Sequence, residues 1–134
     1  MPLIEFKYSY FRDKKIPLIP LEVEGKDGWS EIWAFVDSGA SFSVFDKDEA
    51  LNLGLAFKNG QELMVVVGDG SYIPIYIHRL HLKIGGEIIE AEIGFSERLG
   101  VGFNLLGRKD IFEKFKVCFS DQKGVVSFER ESIK

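Results

Sequence analysis

Residues 33 to 45 read WAFVDSGASFSVF. Ile32 to Val36 are apolar and strand-forming, and Phe42, Val44 and Phe45 resume the apolar pattern beyond. Asp37 stands where that pattern calls for another hydrophobe, and a turn-prone Ser38-Gly39-Ala40 follows at once. A buried charge without a partner is costly, so such a carboxylate is paired, protonated or used. A carboxylate at a strand end is also an ordinary turn-former, so the stretch by itself leaves both readings open. In either case backbone rather than a long loop would hold the group, which is how a reactive side chain is positioned rigidly.

Working outward, the chain reads as short β-runs punctuated by turns. Residues 16–24 (IPLIPLEVE) run into Gly25-Lys26-Asp27-Gly28 and return as residues 29–36. Pro17 and Pro20 put part of that first run at a sheet edge or ahead of true pairing. Residues 62–67 meet Gly68-Asp69-Gly70 and return as residues 71–77, a hairpin signal. RLHLKI, then Gly85-Gly86, then EIIEAEIGF makes a further pair, and FKVCF with VVSF makes the last. Near the N-terminus Ile4, Phe6, Tyr8 and Tyr10 alternate like a strand, so residues 1–15 are expected to form an extra strand or arm. The fold class expected is all-β, a small closed barrel with one or two short helices, in a single domain spanning residues 1–134. One helix should begin at Asp46, with Glu49 at the capping-box spacing and Gly54 as its stop. The other should cover residues 109–115, where Ile111, Phe112 and Phe115 recur at helical spacing.

Composition narrows the function. The chain has 134 residues and a formal net charge of −4, and is 46% hydrophobic and 28% charged. The sequence pI is near 5.2 and mean hydropathy is +0.01. Clustered Lys and Arg, on which nucleic-acid affinity rests, are lacking, and Arg12-Asp13-Lys14-Lys15 reads as a solvated turn. No run is long enough to span a membrane, and Met1 to Phe11 has no continuous apolar core of a leader, so a cytoplasmic protein is expected. The single cysteine, Cys118, cannot form an internal disulfide and reads as a buried filler in Val117-Cys118-Phe119. No metal site is expected, because His78 and His81 on a strand would point to opposite faces. Gly68-Asp69-Gly70 lacks the helix start of a phosphate loop, and Asp69 reads as a hairpin corner. Asp110 and Glu113 are expected to face solvent from the second helix.

A second stretch bears on Asp37: FNLLGRKDIF, in which Leu105 and Leu106 precede Gly107 and Arg108. VDSGAS at residues 36–41, the hairpin tipped by Gly68-Asp69-Gly70, and LLGR at residues 105–108 occur in an order that resembles the retropepsin-like aspartic peptidases. The resemblance runs from about Ile16 to Phe128. It implies an aspartic endopeptidase, active as a homodimer on a peptide or protein substrate, with no cofactor. Each chain would contribute one catalytic Asp37 across a twofold axis. Ser38 would bond across that axis, Gly39 would expose its backbone to substrate, and Ala40 would pack behind. Residues 66–73, with Val67, Gly68, Asp69 and Gly70 at the tip, would form a flap over an extended peptide. Leu106, Gly107 and Arg108 would brace the active-site loop from below. Ser41 stands where several viral relatives carry an Asp that pairs with this arginine, so Arg108 is expected to find another carboxylate.

Two rival readings follow from the same residues. One keeps the fold as a catalytically silent, dimeric peptide-binding or scaffolding module with the Asp pair as a hydrogen-bond hub. The other is an unrelated small β-barrel with a chance Asp-Ser-Gly.

Overall fold

The computed structural model describes residues 3–66 and 69–131. In chain order the elements begin with β1 (Leu3–Lys7), β2 (Ser9–Phe11), β3 (Lys14–Ile16), β4 (Leu18–Gly25), β5 (Gly28–Val36), β6 (Ser43–Asp46) and α1 (Lys47–Asn52). A single 3₁₀ turn, Phe57–Asn59, precedes β7 (Gln61–Val66), β8 (Tyr72–Ile84), β9 (Glu87–Ser96) and β10 (Asn104–Leu106). A wound segment, Arg108–Phe112, leads into β11 (Phe115–Ser120) and β12 (Val125–Arg130). No helix among the described residues is long and apolar enough to cross a membrane.

The strands form a ring. The sheet order is β4-β5-β10-β6-β9-β8-β7, and an added β4–β8 pairing at Glu22↔Lys83 and Val23↔Leu82 closes it. β10 enters between β5 and β6, parallel to the first and antiparallel to the second. Alternation along the strands fills the inside of the ring: Ile19, Val23, Ala34, Leu82, Ile93 and Phe95 are fully buried. Burying each Leu, Ile or Phe side chain stabilises the fold by about 1.5–3 kcal/mol, which is what holds so short a chain closed. A second sheet, β1-β12-β11, packs Phe6, Phe115 and Phe128 edge to face, with 5.8 Å between the Phe128 centroid and each of the other two.

The expected hairpins are present. β4 and β5 turn at Lys26-Asp27, with Gly25 opposite Gly28. β8 and β9 turn at Gly85-Gly86, with Ile84 opposite Glu87. Pro20 lies where β4 pairs with β5 alone, ahead of the meeting with β8, where its missing N–H costs no bond on that second edge. The runs 71–77 and 79–84 are one continuous strand, β8, whose first half pairs with β7 and whose second half belongs to the ring. The N-terminal run extends the second sheet, β1 lying antiparallel to β12 with Ile4 opposite Phe128. Tyr8 then ties down the chain, its N–H donating to the Gly124 carbonyl and its hydroxyl to Asp121 Oδ1, each at 2.7 Å. Burial, reinforced by the carboxylate it bonds, pushes the Tyr8 phenol up to about 12.

Three expectations are corrected. Residues 109–115 do not form a helix: Lys109 is extended and Asp110 is left-handed (φ 67°), and Phe115 already belongs to β11. The reason is a side-chain bond that outcompetes the helix ladder. Asp110 turns inward, accepts the Glu92 N–H at 2.8 Å, and lies 3.5 Å from Lys109 Nζ, so it is not a solvent-facing residue. Glu113 is exposed, as expected, and accepts the Asp110 N–H at 2.8 Å. Cys118 is exposed rather than buried, because β11 is an edge strand whose inward positions are taken by Phe115 and Val117.

Helix α1 starts at its expected cap. Asp46 Oδ2 accepts the Asp48 N–H at 2.9 Å, and Gly54 (φ 77°) follows the last turn. The reciprocal half of the capping box is replaced by Asn104. Its Oδ1 accepts the Asp46 N–H at 2.8 Å, and its Nδ2 donates to Glu49 Oε2 at 2.8 Å and to the Trp33 carbonyl at 2.9 Å. One buried amide on β10 thus ties β5, β6 and α1 together.

Candidate active site

Asp37 follows directly on β5, where parallel pairing of Leu106 with Val36 brings β10 alongside. Its backbone N–H donates to the Leu106 carbonyl at 2.9 Å, so the two sequence motifs meet in one hydrogen bond. The Ala40 N–H donates to the Asp37 carbonyl at 3.2 Å, closing the Ser-Gly turn. The carboxylate is half-buried, and its Oδ1 accepts the Gly39 N–H at 2.9 Å, which orients it by backbone.

Below the turn, β10 leaves through Gly107. The Gly107 N–H donates to the buried Ser43 hydroxyl at 2.9 Å. A Cβ on Gly107 would press on the Phe42 carbonyl oxygen and would lie 2.7 Å from the Ala40 carbonyl oxygen, so only glycine passes there. Beyond it, Arg108 N–H donates to the Ala40 carbonyl at 2.8 Å and Lys109 N–H to the Ser41 carbonyl at 2.9 Å. The exposed Arg108 guanidinium donates from Nη1 to the Ser38 carbonyl at 3.1 Å and lies over the Phe112 ring, 5.3 Å from its centroid. Among the described residues no carboxylate lies within ion-pair distance of Arg108, so the carboxylate partner expected for it is not found, and a carbonyl of the Asp37 loop takes that place.

A cleft of about 720 Å³ opens above Asp37. Asp37, Gly39 and Ala40 line it, together with Met64 and Val66 of β7. Of the four residues expected at the hairpin tip, Val67 and Gly68 lie outside the described residues. Asp69 and Gly70 are exposed in the turn, with Gly70 at φ 86°. Asp69 Oδ1 accepts both the Ser71 hydroxyl (2.5 Å) and the Ser71 N–H (2.9 Å), and those bonds lower the Asp69 pKa below its ordinary value. The histidines have separate partners: His78 Nε2 bonds the Phe57 carbonyl at 2.8 Å, and His81 Nδ1 lies 3.4 Å from Glu24.

Of the cleft's side wall, only Leu105 belongs to the motif segments VDSGAS and LLGR. Phe35, Leu99, Val101, Phe103 and Leu105 line it. For Phe35 a signal lies in the alternation of β5, where Ile32, Ala34 and Val36 fill the core and leave Trp33 and Phe35 as aromatics on the outer face. Large apolar side chains on the face turned away from a core mark a place where something binds or packs.

No protein-family model matches the sequence, and no curated protein matches it. Solved structures do match. The crystal structure of a retropepsin-like aspartic protease from Rickettsia conorii superposes with a TM-score of 0.65 at 18% identity, covering 92% of this chain and 97% of that one. EIAV protease, in complex with the inhibitor HBY-793, superposes with a TM-score of 0.55 at 19% identity, covering 78% of this chain and 92% of that one. The chain has the retropepsin-like fold.

Proposed function

We propose that the protein is an aspartic endopeptidase that works as a homodimer, each chain supplying Asp37 to a shared dyad. One observation carries this reading above the others: on a fold shared with aspartic proteases, a backbone-oriented carboxylate lines a largely apolar cleft. One chain has a single such carboxylate, and a twofold axis beside the Ser38-Gly39 turn would bring in its copy. Two carboxylates about 3 Å apart cannot both ionise comfortably, so they share a proton and titrate as a pair. The ionised member takes a proton from a water held between them, and that water attacks the scissile carbonyl carbon. The protonated member donates to the carbonyl oxygen and stabilises the tetrahedral intermediate.

The remaining roles follow from position. The β7–β8 hairpin is the flap, closing over an extended peptide held largely by backbone hydrogen bonds, with Asp69 and Gly70 in its turn. Ser38 bonds across the axis, and Arg108 steadies the loop that carries it through the Ser38 carbonyl. Leu106 and Gly107 hold that loop from beneath. We take the setting to be cytoplasmic, a reading that the unpaired Cys118 supports.

The test is cleavage of a diverse peptide library between about pH 4 and about pH 7.5, by the wild type and by Asp37→Asn in parallel. Cleavage by the wild type alone is expected, and its cut sites would define the pockets. Equal cleavage by both proteins would remove Asp37 from the mechanism.

A further inference from the structure

Three aromatic rings lead from the N-terminal hairpin to the cleft. Phe35, two residues before Asp37, lines the cleft and stacks on Phe103 with centroids 5.0 Å apart and planes at 29°. Phe103 meets the edge of Phe11 at 5.0 Å and 75°. Phe11 ends β2 and does not itself line the cleft. It lines instead a neighbouring cavity of about 450 Å³, and Phe103, with Leu99 and Val101, lines both spaces and forms part of the partition between them.

The hairpin is pressed against this partition. A Cβ on Gly102 would lie 2.6 Å from Phe11 Cζ, so the ring packs directly on the backbone before Phe103 and a larger residue there would push it aside. The Arg12 guanidinium covers the Phe11 ring at 5.0 Å. Arg12 and Asp13 make the turn with φ of 51° and 65°, a tight two-residue connection that leaves the β2–β3 pair little slack. A two-stranded hairpin is marginal by itself, and Phe11 docks it on Phe103 while β2 also lies against β4.

We propose that the β2–β3 hairpin is a specificity element of the cleft: Phe11 fixes Phe103, Phe103 fixes Phe35, and the stack sets how large an apolar side chain the wall beside Asp37 admits. The inference rests on the cleft being the peptide site of the proposed function, though not on its being catalytic. Phe11 is a positioning residue. Without its ring, Phe103 can swing toward the neighbouring cavity, and the cleft widens on the side of Phe35.

The experiment measures binding by calorimetry, with Asp37→Asn protein so that peptides stay intact. Peptides of one backbone carry Ala, Leu, Phe or Trp at a single position. In the Phe11→Ala background the affinity for Phe or Trp relative to Ala is expected to rise ~3–10-fold, the range of one lost aromatic contact. Phe11→Tyr should restore the original ratio, and Tyr10→Ala, on the same hairpin but 70% exposed, should leave it unchanged. A ratio unmoved by Phe11→Ala, with all affinities equal or lowered by one factor, would overturn the inference, as would no binding of any peptide. Binding that follows the expected ratios while the wild type hydrolyses nothing would leave the inference standing and remove the peptidase reading.

Discussion

The Asp37 N–H donates to the Leu106 carbonyl at 2.9 Å, joining the residue that follows β5 to the residue that ends β10. Those two residues lie in the two motifs whose order along the chain points to the fold. One residue further on, Gly107 N–H donates to Ser43 Oγ, and Arg108 N–H then donates to the Ala40 carbonyl. The carboxylate therefore sits on a turn held from beneath by a ladder of hydrogen bonds, backbone to backbone except at the Ser43 hydroxyl, with no long side chain needed to carry it into the cleft.

Gly107 is the tightest point of that ladder. Gly107→Ala would push a methyl group against the Phe42 and Ala40 carbonyls. A loss of about 3 kcal/mol of stability is expected, because backbone cannot yield as a side chain would. Urea unfolding checks it: a midpoint equal to that of the wild type would mean the turn is looser than its geometry.

Asn104 carries three hydrogen bonds through one buried amide. Asn104→Leu strands the Asp46 N–H and the Trp33 carbonyl, and a cost of about 2–4 kcal/mol is expected. Asn104→Asp should be nearly as damaging, since it replaces a donor with a carboxylate facing Glu49. Thermal unfolding of both variants gives the comparison, and a mild effect from either would contradict the tie.

Arg108 is exposed, and its hydrogen bond from Nη1 goes to a carbonyl of the Asp37 loop. Arg108→Ala should weaken self-association roughly fivefold to tenfold while leaving the order of preferred peptides unchanged. Arg108→Lys should not rescue it, because an ammonium cannot both bond Ser38 and lie flat over Phe112. Sedimentation velocity with a peptide panel decides it; altered preference with unaltered association would reverse the assignment.

Much of the ring is legible in the amino-acid sequence. Period-two alternation and the two-residue turns at Lys26-Asp27 and Gly85-Gly86 fix hairpins locally. What the letters hide is long-range. Asp110 takes a left-handed conformation because the Glu92 N–H, on another strand, needs its carboxylate, and no helical spacing in 109–115 announces that partner. Cys118 is apolar by neighbourhood but exposed by register, which depends on β11 being an edge. The strand β10 has only three residues, too few for any periodic signal, and it is recognised through Leu105-Leu106-Gly107 rather than through alternation. The cleft wall at Phe35 and Phe103 is hidden for a related reason, since its rings come from segments far apart in the chain.

Tyr8 should give the fold a leg on the alkaline side. Its phenol titrates near 12 in the folded chain against the ordinary 10.0, so the folded state holds the proton more tightly. The stability this contributes is fully present below pH 10 and is lost as the pH rises through about 12. Tyr8→Phe should lower stability at neutral pH by about 1 kcal/mol and flatten the decline above pH 10. Denaturant midpoints across that range check the sign; a wild-type curve no steeper than the variant's would contradict it.

The shared dyad is tested most directly by mixing subunits. Wild type is unfolded and refolded with a fivefold excess of Asp37→Asn, and cleavage of a peptide from the library is measured per wild-type chain. If every active site takes one Asp37 from each of two chains, random pairing leaves about one-sixth of the wild-type chains with an active partner, and activity per chain should fall to about that fraction. Activity per wild-type chain that does not change with excess mutant would mean that one chain holds a complete site, and the dimeric mechanism would be wrong.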